Sequence, residues 1–166
     1  MIADSIRLLL TNIPLVGFVL AILIPTLRPN KDGRRAEHYL SWFLLLSIGF
    51  TSLWAGLYHT LSPQAAAAFI GWQVSPFQFE MGMADIALGI VAMIAFWRSL
   101  DFKSAVVLLV TMEFVGLVYG HLNQMLSAGN HAPGNAGILL ALTVVHAILL
   151  PVLLVMARRA ANRKAA

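Results

Sequence analysis

Residues 79–97 read FEMGMADIALGIVAMIAFW, an apolar stretch that nevertheless carries two carboxylic acids, Glu80 and Asp85. Its length is close to the ~20 residues that a helix needs to cross the hydrocarbon core of a bilayer. An ionised side chain in hydrocarbon is costly, so acids in such a segment normally face a packed interior or a water-filled cavity. The stretch therefore predicts a membrane span whose acids belong to an interior shared with other spans.

The composition of the whole chain indicates the same class of protein. The 166 residues are 60% hydrophobic and 11% charged, far from the balance of soluble proteins, and the length suits one domain. Cysteine is absent, which excludes disulfides, thiolate metal sites and cysteine nucleophiles. The basic residues form short clusters between apolar stretches, which favours lipid headgroups over nucleic acid as their partner.

Hydropathy divides the chain into five apolar stretches. We predict an all-α bundle forming one transmembrane domain over residues 1–166, with spans at 6–27, 39–61, 79–97, 104–125 and 137–157. The segment between the second and third spans is broken by Pro63 and Pro76 and is too short to span. We expect residues 64–72 to form a short interfacial helix there, with Trp72 at the level of the headgroups.

The positions of lysine and arginine predict the orientation of these spans. Ten of the eleven lie in the first loop, in the turn between the third and fourth spans and in the C-terminal tail, whereas residues 62–78 and 126–136 contain none. Loops rich in lysine and arginine stay in the cytoplasm. We therefore expect a bacterial-type inner-membrane protein with its N-terminus outside and its C-terminus in the cytoplasm.

Ionisable and amide groups concentrate in the predicted outer half of the spans. With a rise of ~1.5 Å per residue, His59, Glu80 and His121 fall near the outer boundary, and other groups lie deeper. The loop at 130–137 is rich in turn residues and is expected to cover them as a lid. We predict an outward-facing polar cavity to which these residues contribute: His59, Glu80, Asp85, Glu113, His121, Asn130, His131, Asn135 and His146.

Small residues at helical spacing predict where the spans pack closely. Three faces combine small residues with a polar group: Ser52, Gly56 and His59 on the second span, Asp85, Gly89 and Ala92 on the third, and Glu113, Gly116 and Gly120 on the fourth. Small residues let helix backbones approach one another in membranes. All three faces are therefore expected in the bundle interior.

Imidazoles and carboxylates from several helices are the ligand set of zinc, iron or manganese. The first hypothesis for function is accordingly a transition-metal site using His59, His121, His131 and His146, or a cavity for a small polar ligand near Asp85. A haem held between two of His59, His121 and His146 is a second form of the metal hypothesis, and His59 with His121 have the matched depths that two axial ligands need. No Glu-x-x-His or His-Glu-x-x-His motif supports a particular metal.

Two other functions remain open at this point. Asp85 and Glu113 could serve as proton-linked groups of a small-solute or ion transporter, or they could only join helices in a structural subunit, in an oligomer or a larger complex. Serine hydrolase chemistry lacks its Gly-x-Ser-x-Gly motif, and whether the protein is an enzyme stays undecided.

The stretches FEMGMADIALG at 79–89 and NHAPGNAG at 130–137 resemble uncharacterised families of small multi-pass inner-membrane proteins from bacteria. That resemblance implies a multi-pass membrane location. It implies no reaction, cofactor or catalytic residue.

Overall fold

A computed structural model describes residues 12–30 and 32–165 of the chain, and over these residues it contains helices and no strand. The all-α prediction is confirmed. The elements are α1 (Ile13–Leu27), α2 (Arg35–Trp42), a π-helical segment (Phe43–Phe50), α3 (Thr51–Leu61), α4 (Pro63–Ile70), α5 (Pro76–Ala95), α6 (Leu100–Ala128), α7 (Pro133–Ala136) and α8 (Ile138–Ala165).

Within the described residues, four helical stretches are long and apolar enough to cross a membrane: Arg35–Leu61, Pro76–Ala95, Leu100–Ala128 and Pro133–Arg163. The first of these joins α2, the π-helical segment and α3 without a break. They correspond to the second to fifth predicted spans. α1 has 15 residues, and the predicted beginning of the first span at residue 6 lies outside the described residues. A total of five spans therefore stays a prediction.

The outer faces of these helices are apolar. On α6, for example, Leu108, Met112 and Val115 expose more than half of their surface. Large apolar side chains repeated along an exposed helix face would be unfavourable in water, and bilayer hydrocarbon is their natural environment.

Proline and glycine delimit the helices as their backbone preferences require. α4 begins at Pro63 and ends at Gly71, whose positive φ of 77° suits a residue without a Cβ. α6 begins after Ser99, whose hydroxyl accepts a hydrogen bond from the Phe102 amide, and it ends at Gly129, also with positive φ. The helix predicted at 64–72 is thus present as α4.

The long helices associate as two pairs. Helix 35–61 packs along α5 and forms the first helix pair, while α6 packs along α8 and forms the second helix pair. α1 lies against the π-helical segment. The pairs meet where α2 contacts α8, and a buried salt bridge of 3.1 Å joins Lys103 Nζ to Glu37 Oε1 at that end. The main apolar core occupies the same half, with Leu40, Leu44, Ala92, Val107 and Leu150 among its members.

Glycines bring the members of the first helix pair into backbone contact. A Cβ built on Gly56 would lie 2.5 Å from the carbonyl oxygen of Gly82, and one on Gly89 would lie 2.6 Å from the amide nitrogen of Leu53. Ser52 and Ala92 are buried on the same faces. The predicted packing of the second and third spans through their small residues is confirmed.

The corresponding prediction for the fourth span is wrong. A Cβ built on Gly116 or Gly120 would meet no atom of another described helix within 4 Å, and neighbouring Tyr119 is 74% exposed. α6 turns a different face inward, on which Val110 and Phe114 recur at helical spacing and pack against the core. The apolar volume of that face fills the interior better than the flat glycine face does.

Candidate ligand-binding cavity

A cavity of about 1070 Å³ lies between the two helix pairs, at the end away from the apolar core. Its wall comes from helix 35–61, α5, α6 and α8, and residues of α4 and α7 close one end. Clefts that bind small molecules measure about 300–1,000 Å³. The cavity is therefore large enough for an organic ligand of drug-like size.

Four of the predicted site residues line this cavity: His59, Asp85, His121 and His146. The other five do not belong to its wall. Glu80 and His131 are exposed, Glu113 is half-buried, and Asn130 and Asn135 hold the loop that covers the cavity.

Asp85 is the carboxylate of the cavity wall. It lies on the glycine face of α5, between Gly82 and Gly89, so the close contact with helix 35–61 fixes its backbone. Its side chain is half-buried and makes no hydrogen bond or salt bridge within the described residues. Glu113 lies near enough to interact with it electrostatically. Asp85 is thus an acceptor left available inside the protein.

His59 has a hydrogen-bond donor at Nε2, because its Nδ1 accepts a hydrogen bond. The amide nitrogen of Gln78 donates to the carbonyl of Pro63 at 2.9 Å, which fixes the orientation of this amide. The same nitrogen lies 3.2 Å from His59 Nδ1, which must therefore accept. A neutral imidazole that accepts at Nδ1 carries its proton on Nε2.

His121 has the opposite arrangement. Asn135 is fully buried and donates from Nδ2 to the carbonyls of His121 and Asn130, so its Oδ1 is an acceptor, 2.8 Å from His121 Nδ1. His121 Nδ1 therefore donates, and Nε2 has no partner within the described residues. The ring stacks on Trp72 with centroids 5.7 Å apart.

His146 uses both ring nitrogens to join helices. Nδ1 donates to the Leu142 carbonyl at 2.7 Å, and Nε2 accepts from the Ser47 hydroxyl at 2.7 Å. Only 4% of the residue is exposed, and the edges of Phe18 and Phe43 pack against it. Both ring nitrogens of His146, which was predicted as a metal ligand, are therefore engaged in structural hydrogen bonds.

The described residues bring no three of their histidines and carboxylates together as metal ligands. The histidines predicted as a set are separated by their roles: His146 joins helices, His131 is exposed, and His59 and His121 each hold a neighbouring amide. The metal hypothesis and its haem form consequently gain no support from the geometry.

The loop predicted as a lid lies against α4, and its amides do not point into the cavity as predicted. Asn130 donates to the Ile70 carbonyl at 3.0 Å and accepts from the Ala132 amide at 3.0 Å, which ties the loop to α4. Pro133 and Gly134 reach the cavity wall, and Gly134 packs against Phe69. The asparagines shape the cover and are not available to a ligand.

The sequence reasoning missed the aromatic wall of the cavity. It consists of Trp54, Tyr58, Phe69, Trp72, Phe77 and Phe114. Trp54 and Tyr58 are stacked, with an interplanar angle of 6° and ring centroids 6.3 Å apart. Their separation of four residues, on the same helix as His59, is the signal that could have placed them on one face.

These features define an all-helical membrane protein with a partly polar cavity between its helices. The chain belongs to the family described as "Family of unknown function (DUF6790)", which it matches over residues 11–163. Its resemblance to an uncharacterised family is thereby confirmed. Comparison with curated proteins and with solved structures finds no match to the chain.

Proposed function

We propose that the protein is a single-domain, five-span inner-membrane protein that binds a small organic molecule in this cavity. One observation carries the proposal: Asp85 is a carboxylate without a partner among the described residues, in the wall of a cavity large enough for such a ligand. Ionisable side chains inside membrane spans usually mark a functional site and face the bundle interior or a water-filled cavity. A carboxylate that faces a cavity and has no hydrogen bond to the described residues is best explained by a ligand.

The rest of the wall supports small-molecule binding. Asp85 shares the wall with His59, whose Nε2 is a donor, and with His121, whose Nε2 has no partner within the described residues, while most of the surface is apolar and aromatic. A few polar groups in an otherwise apolar cleft are typical of sites that orient an organic ligand.

The charge distribution supports an opening toward the outer side of the membrane. The loops at the cavity end, residues 62–75 and 129–132, carry no lysine or arginine, whereas the basic clusters lie at the opposite end of the bundle. Cytoplasmic loops carry the excess of positive charge. With five spans, this orientation puts the N-terminus outside.

A cavity-filling substitution tests the proposal. Ala55 lines the cavity, whereas Ala87 is exposed on α5 and does not. A library of cationic, anionic and neutral amphiphiles is screened for compounds that stabilise the detergent-solubilised protein against heat. A compound at 100 times its Kd stabilises by about 2.7 kcal/mol. We expect this stabilisation to be lost in Ala55→Phe and kept in Ala87→Phe.

The proposal fails if no compound stabilises the protein, or if the stabilising compounds act equally on Ala55→Phe. The melting temperature of each variant without compound serves as the folding control.

Proton-coupled transport is a second candidate, favoured by the position of Glu113. This half-buried acid lies outside the cavity wall but interacts electrostatically with Asp85. Two carboxylates that interact strongly titrate as a pair and not independently. A ligand that binds at Asp85 would then alter the protonation of the pair.

A further inference from the structure

We infer that the ligand of this cavity is an organic cation with an apolar body, such as a protonated or quaternary amine. This inference rests on the proposed function, because it names the class of molecule that the same cavity takes. It is carried by the charge of the wall, by its aromatic residues and by the size of the cavity.

Among the residues that the structure describes, the cavity wall holds one carboxylic acid, Asp85, and no lysine or arginine. His59 accepts a hydrogen bond at Nδ1 and so contributes no cationic charge in this arrangement. An ionised Asp85 would repel an anionic ligand, whereas a cationic ligand would supply the opposite charge that the described residues of the wall lack.

The aromatic wall suits a cation as well. The faces of tryptophan and tyrosine rings attract ammonium groups, and aromatic cages recognise quaternary ammonium ligands. Trp54 and Tyr58 belong to helix 35–61, whereas Phe77 and Asp85 belong to α5, so aromatic rings and the carboxylate come from both members of the first helix pair. Most of the remaining wall surface is apolar, which favours an apolar body on the ligand.

The cavity is too large for a bare metal ion to be its only ligand. A bare metal ion would leave most of the 1070 Å³ empty, and the described residues provide no three-ligand cluster for it. A bulky lipophilic cation fills the space and removes the apolar wall from water.

Two ions of nearly equal shape and opposite charge provide the test: tetraphenylphosphonium and tetraphenylborate. Binding of each to the full chain in detergent is measured by equilibrium dialysis, with protein-free micelles as the blank. We expect saturable binding of tetraphenylphosphonium alone. Asp85→Asn should weaken it at least about tenfold, since close charge pairs in binding sites contribute that much or more.

Glu80 provides the matched control. It is exposed on the same helix and does not line the cavity, so Glu80→Gln removes an equal charge and should leave the affinity unchanged. Asp85→Glu keeps the charge and should retain binding, which separates the role of charge from any effect of Asp85→Asn on folding.

Equal binding of both ions, or unchanged affinity in Asp85→Asn, would overturn the inference of a cationic ligand. Absence of saturable tetraphenylphosphonium binding would overturn it too. Each of these three results leaves the proposed function standing if the library screen yields neutral or anionic compounds that lose their effect in Ala55→Phe. If that screen also fails, the proposed function falls with the inference.

Discussion

Substitution of Gly56 by alanine tests the helix contact that positions Asp85. A Cβ at residue 56 would lie 2.5 Å from the Gly82 carbonyl oxygen and 2.7 Å from the Ile86 amide nitrogen, both backbone atoms of α5. Favourable contacts between such atoms need about 3.5 Å, so α5 must move away from α3 by about 1 Å. Overpacking of this kind costs about 1–3 kcal/mol.

Gly116→Ala is the matched control, because a Cβ there would meet no atom of a neighbouring helix within 4 Å in the described part of the chain. Alanine is a better helix former than glycine, so this variant should keep its stability or gain up to about 1 kcal/mol. The free energy of unfolding of both variants is measured in mixed micelles with increasing denaturing detergent. Asp85 precedes Ile86 in α5, so Gly56→Ala should also weaken tetraphenylphosphonium binding.

The reasoning is refuted if Gly56→Ala is as stable as the unchanged protein, or if Gly116→Ala loses as much stability as Gly56→Ala. The first result would mean that the two helix backbones do not approach as closely as described. The second would mean that the Gly116 face is packed.

Two further predictions concern single side chains. Ser47→Ala leaves the buried Nε2 of His146 without its hydrogen-bond donor and should lower the free energy of unfolding by about 1–2 kcal/mol. Ser62→Ala, at an exposed position, is the control and should lower it little. Equal losses in the two variants would contradict the role of this hydrogen bond. If the protein couples transport of its ligand to protons, Glu113→Gln should abolish pH-driven uptake of tetraphenylphosphonium into proteoliposomes. Binding of tetraphenylphosphonium at Asp85 should persist in this variant. Unchanged uptake would exclude a role of Glu113 in the coupling.

The features that the sequence predicted correctly are local ones. Hydropathy over about 20 residues located the long helices, and the spacing of Gly56 and Gly89 with their polar neighbours predicted the faces of the first helix pair. Because those faces are continuous with His59 and Asp85, the sequence also predicted two residues of the cavity wall.

The features that it missed depend on partners distant in the chain. Ser47 and His146 are 99 residues apart, and the spacing of neither residue reveals their hydrogen bond. On α6 two faces compete, one with Gly116 and one with Phe114, and only the shape of the neighbouring helices decides which turns inward. Asn135 was likewise predicted to face a ligand, although its buried amide holds His121 and the lid.

The most direct test of an outward-facing cavity uses the absence of natural cysteine in this chain. Thr143 lines the cavity, whereas Ser99 is exposed in the turn between α5 and α6, at the opposite end of the bundle. Single-cysteine variants are treated in intact cells with a membrane-impermeant thiol reagent that carries a trimethylammonium group. Thr143→Cys should react from outside, and Ser99→Cys should react only after the cells are permeabilised. Reaction of Ser99→Cys alone in intact cells would contradict the proposed orientation, and failure of Thr143→Cys to react from either side would contradict an accessible cavity.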